Sequence, residues 1–308
     1  MLKQLKGSII LLITAIVWGS SFVAQSEGMN YVQPFTYNSI RTIIGGLVLI
    51  PVIFCFRAFG SKTERKPLNF RITLIGGVCC GLVLCIASSL QQFGIVQTTA
   101  GKSGFITALY VIFVPVIELL LGKRQRRIIW LCVLMAIVGF YLLCVNEAFT
   151  IGAGEWMTFA CSVFFAAHII IIDRFLAKGA DGLTMACVQF LTAGFVMFVC
   201  MLLFEQPNIE NILSAKYTIL YAGVLSCGVG YTLQIIGQRY TAPTVATLIM
   251  SLESVFSVLS GWLILGETLG AKELLGCCLV FTAVVLAQVR FPSRNNKKLS
   301  VSHTDIGG

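Results

Sequence analysis

Five ionisable side chains interrupt long apolar stretches of this chain: Arg41, Lys102, Glu118, His168 and Glu253. A charge within lipid is costly, so residues of this kind are functional candidates by default. Glu253 offers two kinds of chemistry. As an acid it could carry a coupling proton; as a carboxylate it could contact a cationic group of a solute. The alternative is a structural carboxylate bonded to polar groups of neighbouring helices. Arg41 and Lys102 could each attract an anionic group such as a carboxylate. Arg41 could instead order a helix bundle by hydrogen bonding, and the long stem of Lys102 could carry its ammonium out to the membrane interface. Glu118 lies one turn before Gly122 and a basic cluster, which suits a local ion pair with Lys123 or Arg124. His168, on an aromatic-rich segment, is either a hydrogen-bonded bundle histidine or a proton relay.

Uncharged polar residues add stripes at helical spacing. Thr14, Trp18, Ser21 and Gln25 share one face; so do Ser103, Thr107 and Tyr110, and again Tyr231, Gln234 and Gln238. In lipid such faces must turn toward protein or a wet cavity. Ordinary interhelical hydrogen bonding accounts for any one of these residues; three faces together point to a polar pathway. Its aromatics, Trp18, Tyr110 and Tyr231, suit an amphiphilic organic solute.

The elements that must position these residues follow from composition. Of 308 residues, 57% are hydrophobic and 11% charged, against about a quarter charged in soluble domains. With ~20 apolar residues per membrane span, ten helices use nearly the whole chain, at 8–25, 35–56, 72–95, 100–121, 128–145, 156–175, 183–204, 218–238, 242–265 and 274–289. The fold class expected is therefore all-α integral membrane. Lys3 and Lys6 ahead of an apolar run resemble a signal peptide, but further spans follow and no small-residue cleavage site is evident, so the run reads as a retained first helix.

The net charge of +9 does not imply a nucleic-acid partner, because the basic residues form short clusters between apolar runs. One set of alternate loops holds Arg57, Lys62, Arg65, Lys66 and Arg71, then Lys123, Arg124, Arg126 and Arg127, then Arg174, Lys178 and Arg239. The other set holds Glu27, Glu147, Glu155, Glu205, Glu210 and Glu267, with Lys216 and Lys272. The positive-inside rule then places both termini in the cytoplasm, and the polar tail 293–308 is expected to be disordered there. The twelve cysteines all lie in apolar runs without CxxC spacing, as small apolar fillers would. No cofactor or metal is implied.

The chain also repeats. Leu90-Gln91-Gln92-Phe93-Gly94 matches Leu233-Gln234-Ile235-Ile236-Gly237, and Ala108 to Phe113 matches Ser251 to Phe256. The halves close on Gly122-Lys123 and Gly266-Glu267. Repeats of 1–147 and 148–292, with five helices each, must cross the membrane in opposite senses. Inverted repeats are a transporter architecture with substrate at the midplane.

These motifs carry a family resemblance. Trp18-Gly19-Ser20-Ser21-Phe22, Arg41, Gln91 to Gly94, Gly101 to Thr107, Thr241 to Thr244, Leu252-Glu253 and Gly261 to Glu267 resemble the EamA-type permeases of the drug/metabolite transporter superfamily. The resemblance covers essentially the whole chain and departs at Lys123, where the family often has an acid. It implies a cavity lined by helices 1–4 and 6–9, alternating access, and export of small metabolites, amino acids or toxic compounds across a bacterial cytoplasmic membrane. Monomer and homodimer remain open, as do proton and solute coupling. Candidate substrate or coupling residues are Glu253, Arg41, Lys102, Trp18, Ser21, Gln91, Tyr110, His168, Tyr231 and Gln234.

Other classes fit less well. No GxxxxGK[ST] sequence is present, which disfavours ATP drive by this chain. A membrane-embedded transferase would need paired acids or a histidine near a carboxylate, and neither HExxH nor DxxD occurs. A channel or structural subunit is disfavoured because a ring of like charges or a filter-like repeat is absent from this single chain; saturable counterflow would argue against it.

Overall fold

The computed structural model describes residues 2–59, 69–122, 127–144, 151–238, 240 and 249–288. All regular structure among them is helical. Six helices are long and apolar enough to cross a membrane: Leu5–Gly28, Pro34–Ala58, Phe70–Ile95, Ala100–Leu120, Ala153–Ala177 and Gly182–Phe204. Ile128–Leu143 and Glu253–Leu265 are shorter and also apolar. The protein is a multi-pass membrane protein.

In chain order the helices are α1 (Leu2–Gly28), α2 (Pro34–Phe59), α3 (Phe70–Ile95), α4 (Ala100–Thr107), α5 (Tyr110–Leu120), α6 (Ile128–Cys144), α7 (Ala153–Ala177) and α8 (Gly182–Phe204). The short α9 (Ile209–Ser214) and α10 (Lys216–Leu220) follow, then a π-helical segment, Tyr221–Gly230, that runs into α11 (Tyr231–Gln238). Last come α12 (Glu253–Ser260), continued by a π-helical turn Gly261–Leu265, and α13 (Ala271–Gln288). Side chains start several of these helices. Asn69 accepts from Ile72 N, Thr99 from Lys102 N, and Asp181 from Thr184 N, each satisfying a first-turn donor that the helix cannot.

Packing joins the first half of the chain to the second. α2 lies along α8, α3 along α7, and α6 along α13. The pairings are reciprocal: α1 packs on α12 and α11, while α7 packs on α4, α5 and α3. The α6–α13 pair packs against α4 and α5 through a shared apolar core and approaches through Gly139 and Gly276, where a Cβ on Gly276 would lie 2.7 Å from the carbonyl of Gly139. Small residues permit such contact where water supplies no driving force.

Two spans expected to be continuous are interrupted. α4 and α5 are separated by a turn at Ala108–Leu109, and a turn at Ser251–Leu252 precedes α12. Two of the backbone bonds recur at the same offset. Leu109 N donates to Ile106 O at 3.1 Å and Leu252 N to Ile249 O at 3.2 Å. Val111 N donates to Ala108 O at 3.1 Å and Ser254 N to Ser251 O at 3.3 Å. The span expected at 218–238 is also not uniformly α, because its first half is π-helical.

One end of the bundle gathers Arg57, Arg71, Arg127, Arg174 and Lys178; the other gathers Glu27, Glu155, Glu205, Glu210, Glu267 and Glu273. These are called the basic and acidic ends. Lys62, Arg65, Lys66, Lys123, Arg124, Arg126, Glu147, Arg239, the segment 241–244 and the tail lie outside the described residues, as do the expected partners of Glu118.

Candidate functional site

A cavity of about 510 Å³ lies between the two halves. Its deep part is walled by α1, α2, α3, the α4–α5 turn, α11 and the start of α12. It extends along α7 and α8 through Ile169, Ile172, Leu176 and Gly182, toward the turn at the basic end.

Arg41 enters the cavity from α2. Its Nε donates to Asn38 Oδ1 at 2.8 Å, and Asn38 Nδ2 donates to Ser88 O at 3.0 Å. Asn38 is fully buried and precedes Arg41 by three residues, so the two share a helix face. The guanidinium also lies 5.6 Å from the centre of the Tyr37 ring. Among the described residues no carboxylate lies within ion-pairing distance of it.

Glu253 is the first residue of α12 and is buried. The Tyr110 hydroxyl, at the start of α5, donates to its Oε1 at 3.0 Å. Glu253 has no ion pair among the described residues. The cavity therefore holds one buried cation and one buried acid that do not neutralise each other directly.

Aromatic and amide groups complete the wall. The Trp18 and Tyr231 rings are 5.2 Å apart, and Tyr231 meets Phe190 edge-on at 5.0 Å. Trp18 Nε1 donates at 3.1 Å to the carbonyl of Ser226 in the π-helical segment. Gln91 Nε2 donates to Thr107 Oγ1 at 3.2 Å. His168 Nε2 lies 3.0 Å from Gln189 Oε1; with the amide oxygen as acceptor, Nε2 carries the proton. Gln25 Oε1 is buried without a hydrogen-bond partner among the described residues, the kind of atom a bound polar group or water satisfies.

At the acidic end the helices are tied by carboxylates. Glu205 accepts from Phe35 N, Thr36 N and Thr36 Oγ1, each at 2.7 Å. Glu267 accepts from Ala100 N at 2.7 Å and Gly101 N at 3.0 Å. Glu155 accepts from Thr98 Oγ1 at 2.9 Å. At the basic end, Arg57 Nη2 donates to Thr184 Oγ1 at 3.0 Å and lies 4.0 Å from Asp181.

In this membrane bundle two interrupted helices meet at one cavity between the halves. The EamA-like transporter family matches residues 5–145 and again residues 152–288. The chain belongs to the EamA-like transporter family. It is 28% identical over 291 residues to an uncharacterized transporter of Archaeoglobus fulgidus, covering 94% of this chain and 87% of that protein. It is 22% identical to the uncharacterized inner membrane transporter YedA of Escherichia coli, covering 88% and 87%. It is 21% identical to the uncharacterized transporter YoaV of Bacillus subtilis, covering 92% and 97%. A solved crystal structure shares the fold with a TM-score of 0.62 at 20% identity, covering 91% of this chain and 96% of the other.

In this EamA-like chain the sequence-derived candidates Trp18, Ser21, Arg41, Gln91, Tyr110, His168, Tyr231, Gln234 and Glu253 all line the one cavity. Lys102 does not. Its Nζ lies 2.5 Å from Glu273 Oε1 at the acidic end, so its charge is matched by a partner on α13. Two residues absent from the candidates hold the cavity groups in place: Asn38 for Arg41 and Gln189 for His168. Asn38 is detectable in the sequence as a polar residue one helical turn before a buried cation. Glu205 reads there only as a loop charge, and Glu267 as the close of a repeat motif.

Proposed function

We propose that this EamA-like protein is a secondary transporter that exports small organic solutes by alternating access across the cytoplasmic membrane, and that its solutes are zwitterions such as amino acids. The observation that carries this reading is the pair Arg41 and Glu253, each buried in the cavity wall and neither ion-paired among the described residues. A solute carrying a carboxylate and an ammonium supplies both missing partners. The carboxylate meets the guanidinium, whose planar fork favours such groups; the ammonium meets Glu253. Trp18, Tyr231 and Phe190 take an apolar body. A solute of one charge satisfies one residue and leaves the other unmatched in a low-dielectric site, which costs affinity.

The positive-inside rule supports export. It assigns the basic end to the cytoplasm, and the cavity extends to that end while carboxylates tie the other. A carrier resting in this form loads from inside. The buried Glu253 also offers a place for a counter-transported proton when the solute has left.

Counterflow into proteoliposomes tests the reading. The panel is the twenty protein amino acids, with the amine and the acid that lack one charge of each responder. Saturable uptake of at least one amino acid, with both one-charge analogues at least tenfold weaker, is the expected result. Equal transport of an amine and its parent amino acid argues against the zwitterion. Comparing solutes released by cells overproducing the protein with those released by cells making Glu253→Ala tests direction.

A further inference from the structure

The two ends of the bundle are tied by related parts of the chain with unlike chemistry. α2 and α8 pack together and run antiparallel, so each helix brings its C-terminal end beside the start of the other. Glu205, just past α8, holds the start of α2; Arg57, in the last turn of α2, reaches the start of α8. Glu267 does for α4 what Glu205 does for α2.

A helix start presents unpaired N–H groups and the positive pole of the backbone dipole. A carboxylate fits that end. Both oxygens of Glu205 and both of Glu267 accept backbone N–H bonds, of the charge-assisted kind that are roughly twice as strong as neutral ones. Arginine carries donors only and the same sign as the pole it approaches. Arg57 therefore works through Thr184 Oγ1 and Asp181, and the Arg57 and Asp181 side chains are 51% and 44% exposed. Water competes freely for such a contact.

The tied helices also carry cavity groups. Arg41 lies less than two turns after Phe35 on α2, and α4 leads directly into Thr107 and the turn before Tyr110. A solute that draws on Arg41 and on the Tyr110–Glu253 pair thus acts on the two helices whose starts are held.

We infer that Glu205 and Glu267 are the latches of the acidic-end gate: they hold the starts of α2 and α4 shut, and they bias the empty protein toward the form open at the basic end. This rests on the reading of the cavity as the transport site. Opening at the acidic end requires the four backbone N–H groups of Phe35, Thr36, Ala100 and Gly101 to leave these carboxylates.

The test reads accessibility and needs no substrate. Cys227 lines the cavity; Phe165→Cys in a Cys227→Ser background is a second reporter. A membrane-impermeant thiosulfonate cation is applied separately to each face in right-side-out and inverted vesicles, and labelling is read at the reporter residue alone by peptide mass spectrometry. The unsubstituted protein is expected to label from the basic end. Glu205→Gln with Glu267→Gln is expected to raise labelling from the acidic end at least tenfold, and Arg57→Gln to change it less than twofold. Labelling of the unsubstituted protein from the acidic end alone removes the cavity reading itself. A folded double variant that stays closed at the acidic end overturns the latch while leaving that reading intact. If the double variant does not fold, Thr36→Cys with Glu205→Cys decides. Oxidative cross-linking is expected to abolish counterflow, with recovery on reduction; a cross-linked protein that still transports overturns the latch.

Discussion

Around Ala108–Leu109 and Ser251–Leu252 the backbone makes the same interruption twice, with the same three-residue hydrogen bonds at the same offsets. The side chains that follow differ. After the first turn comes Tyr110, and after the second Glu253, and these two equivalent residues bond to each other. A phenol can donate to a carboxylate, whereas two carboxylates in this position would repel and two phenols would leave the cavity without an acid. The repeated backbone thus builds the cavity, and the departure from the repeat gives it its chemistry. Gln91 and Gln234 show the opposite case: equivalent positions that kept the same amide, both on the cavity wall.

The largest expected effect comes from erasing the difference at that junction. Glu253→Gln keeps size and an acceptor for Tyr110 but removes the charge. Counterflow is expected to fall at least tenfold, about 1.4 kcal/mol, with no comparable loss in thermal stability of the purified protein. Unchanged transport by well-folded Glu253→Gln would remove the acid from the mechanism.

Asn38→Ala probes the other charge without touching it. The substitution strips Arg41 Nε of its buried acceptor, which costs about 1–3 kcal/mol. Both stability and apparent solute affinity are expected to fall, and Asn38→Asp is expected to restore stability while weakening solute binding, because it pairs the guanidinium internally. Titrating transport rate against solute concentration in the two variants separates these outcomes.

Tyr110→Phe sharpens the comparison more gently. It deletes one hydrogen bond of about 0.5–1.5 kcal/mol net and leaves the acid in place, so a fall in transport of only a few-fold is expected. The smallest effect belongs to Lys102. Its ion pair with Glu273 lies outside the cavity and partly exposed, where such pairs contribute about 0–1 kcal/mol. Lys102→Gln is expected to leave transport within twofold; a tenfold loss would return Lys102 to the binding site.

Much of this is legible in the sequence. Arg41 and Glu253 stand out because lipid makes charge expensive, and the pairing of residues 108–113 with 251–256 marks the equivalent helices. The interruptions themselves are not legible. Neither Ala108-Leu109 nor Ser251-Leu252 contains glycine or proline, so no local steric rule stops the helix there. Nor does spacing separate Lys102 from the cavity cations, because its partner Glu273 is far away along the chain. The roles of Glu205 and Glu267 are hidden for the same reason: the helix starts they hold belong to the other half of the chain. Periodicity reports which face a residue occupies, and it is silent about distant partners.

The π-helical stretch Tyr221–Gly230 acts as a phase adjuster. Its wider turns take up more residues than α turns, and so it sets the azimuth at which α11 emerges. Tyr231 and Gln234 point into the cavity at that azimuth. Were the same residues wound as an ordinary α-helix, everything beyond them would be rotated by about 100° for each extra residue the wide turns absorb. The span would still be apolar and long enough, yet Tyr231 would leave Trp18 and Phe190. The irregular helix, rather than any single side chain along it, fixes where the aromatic wall faces.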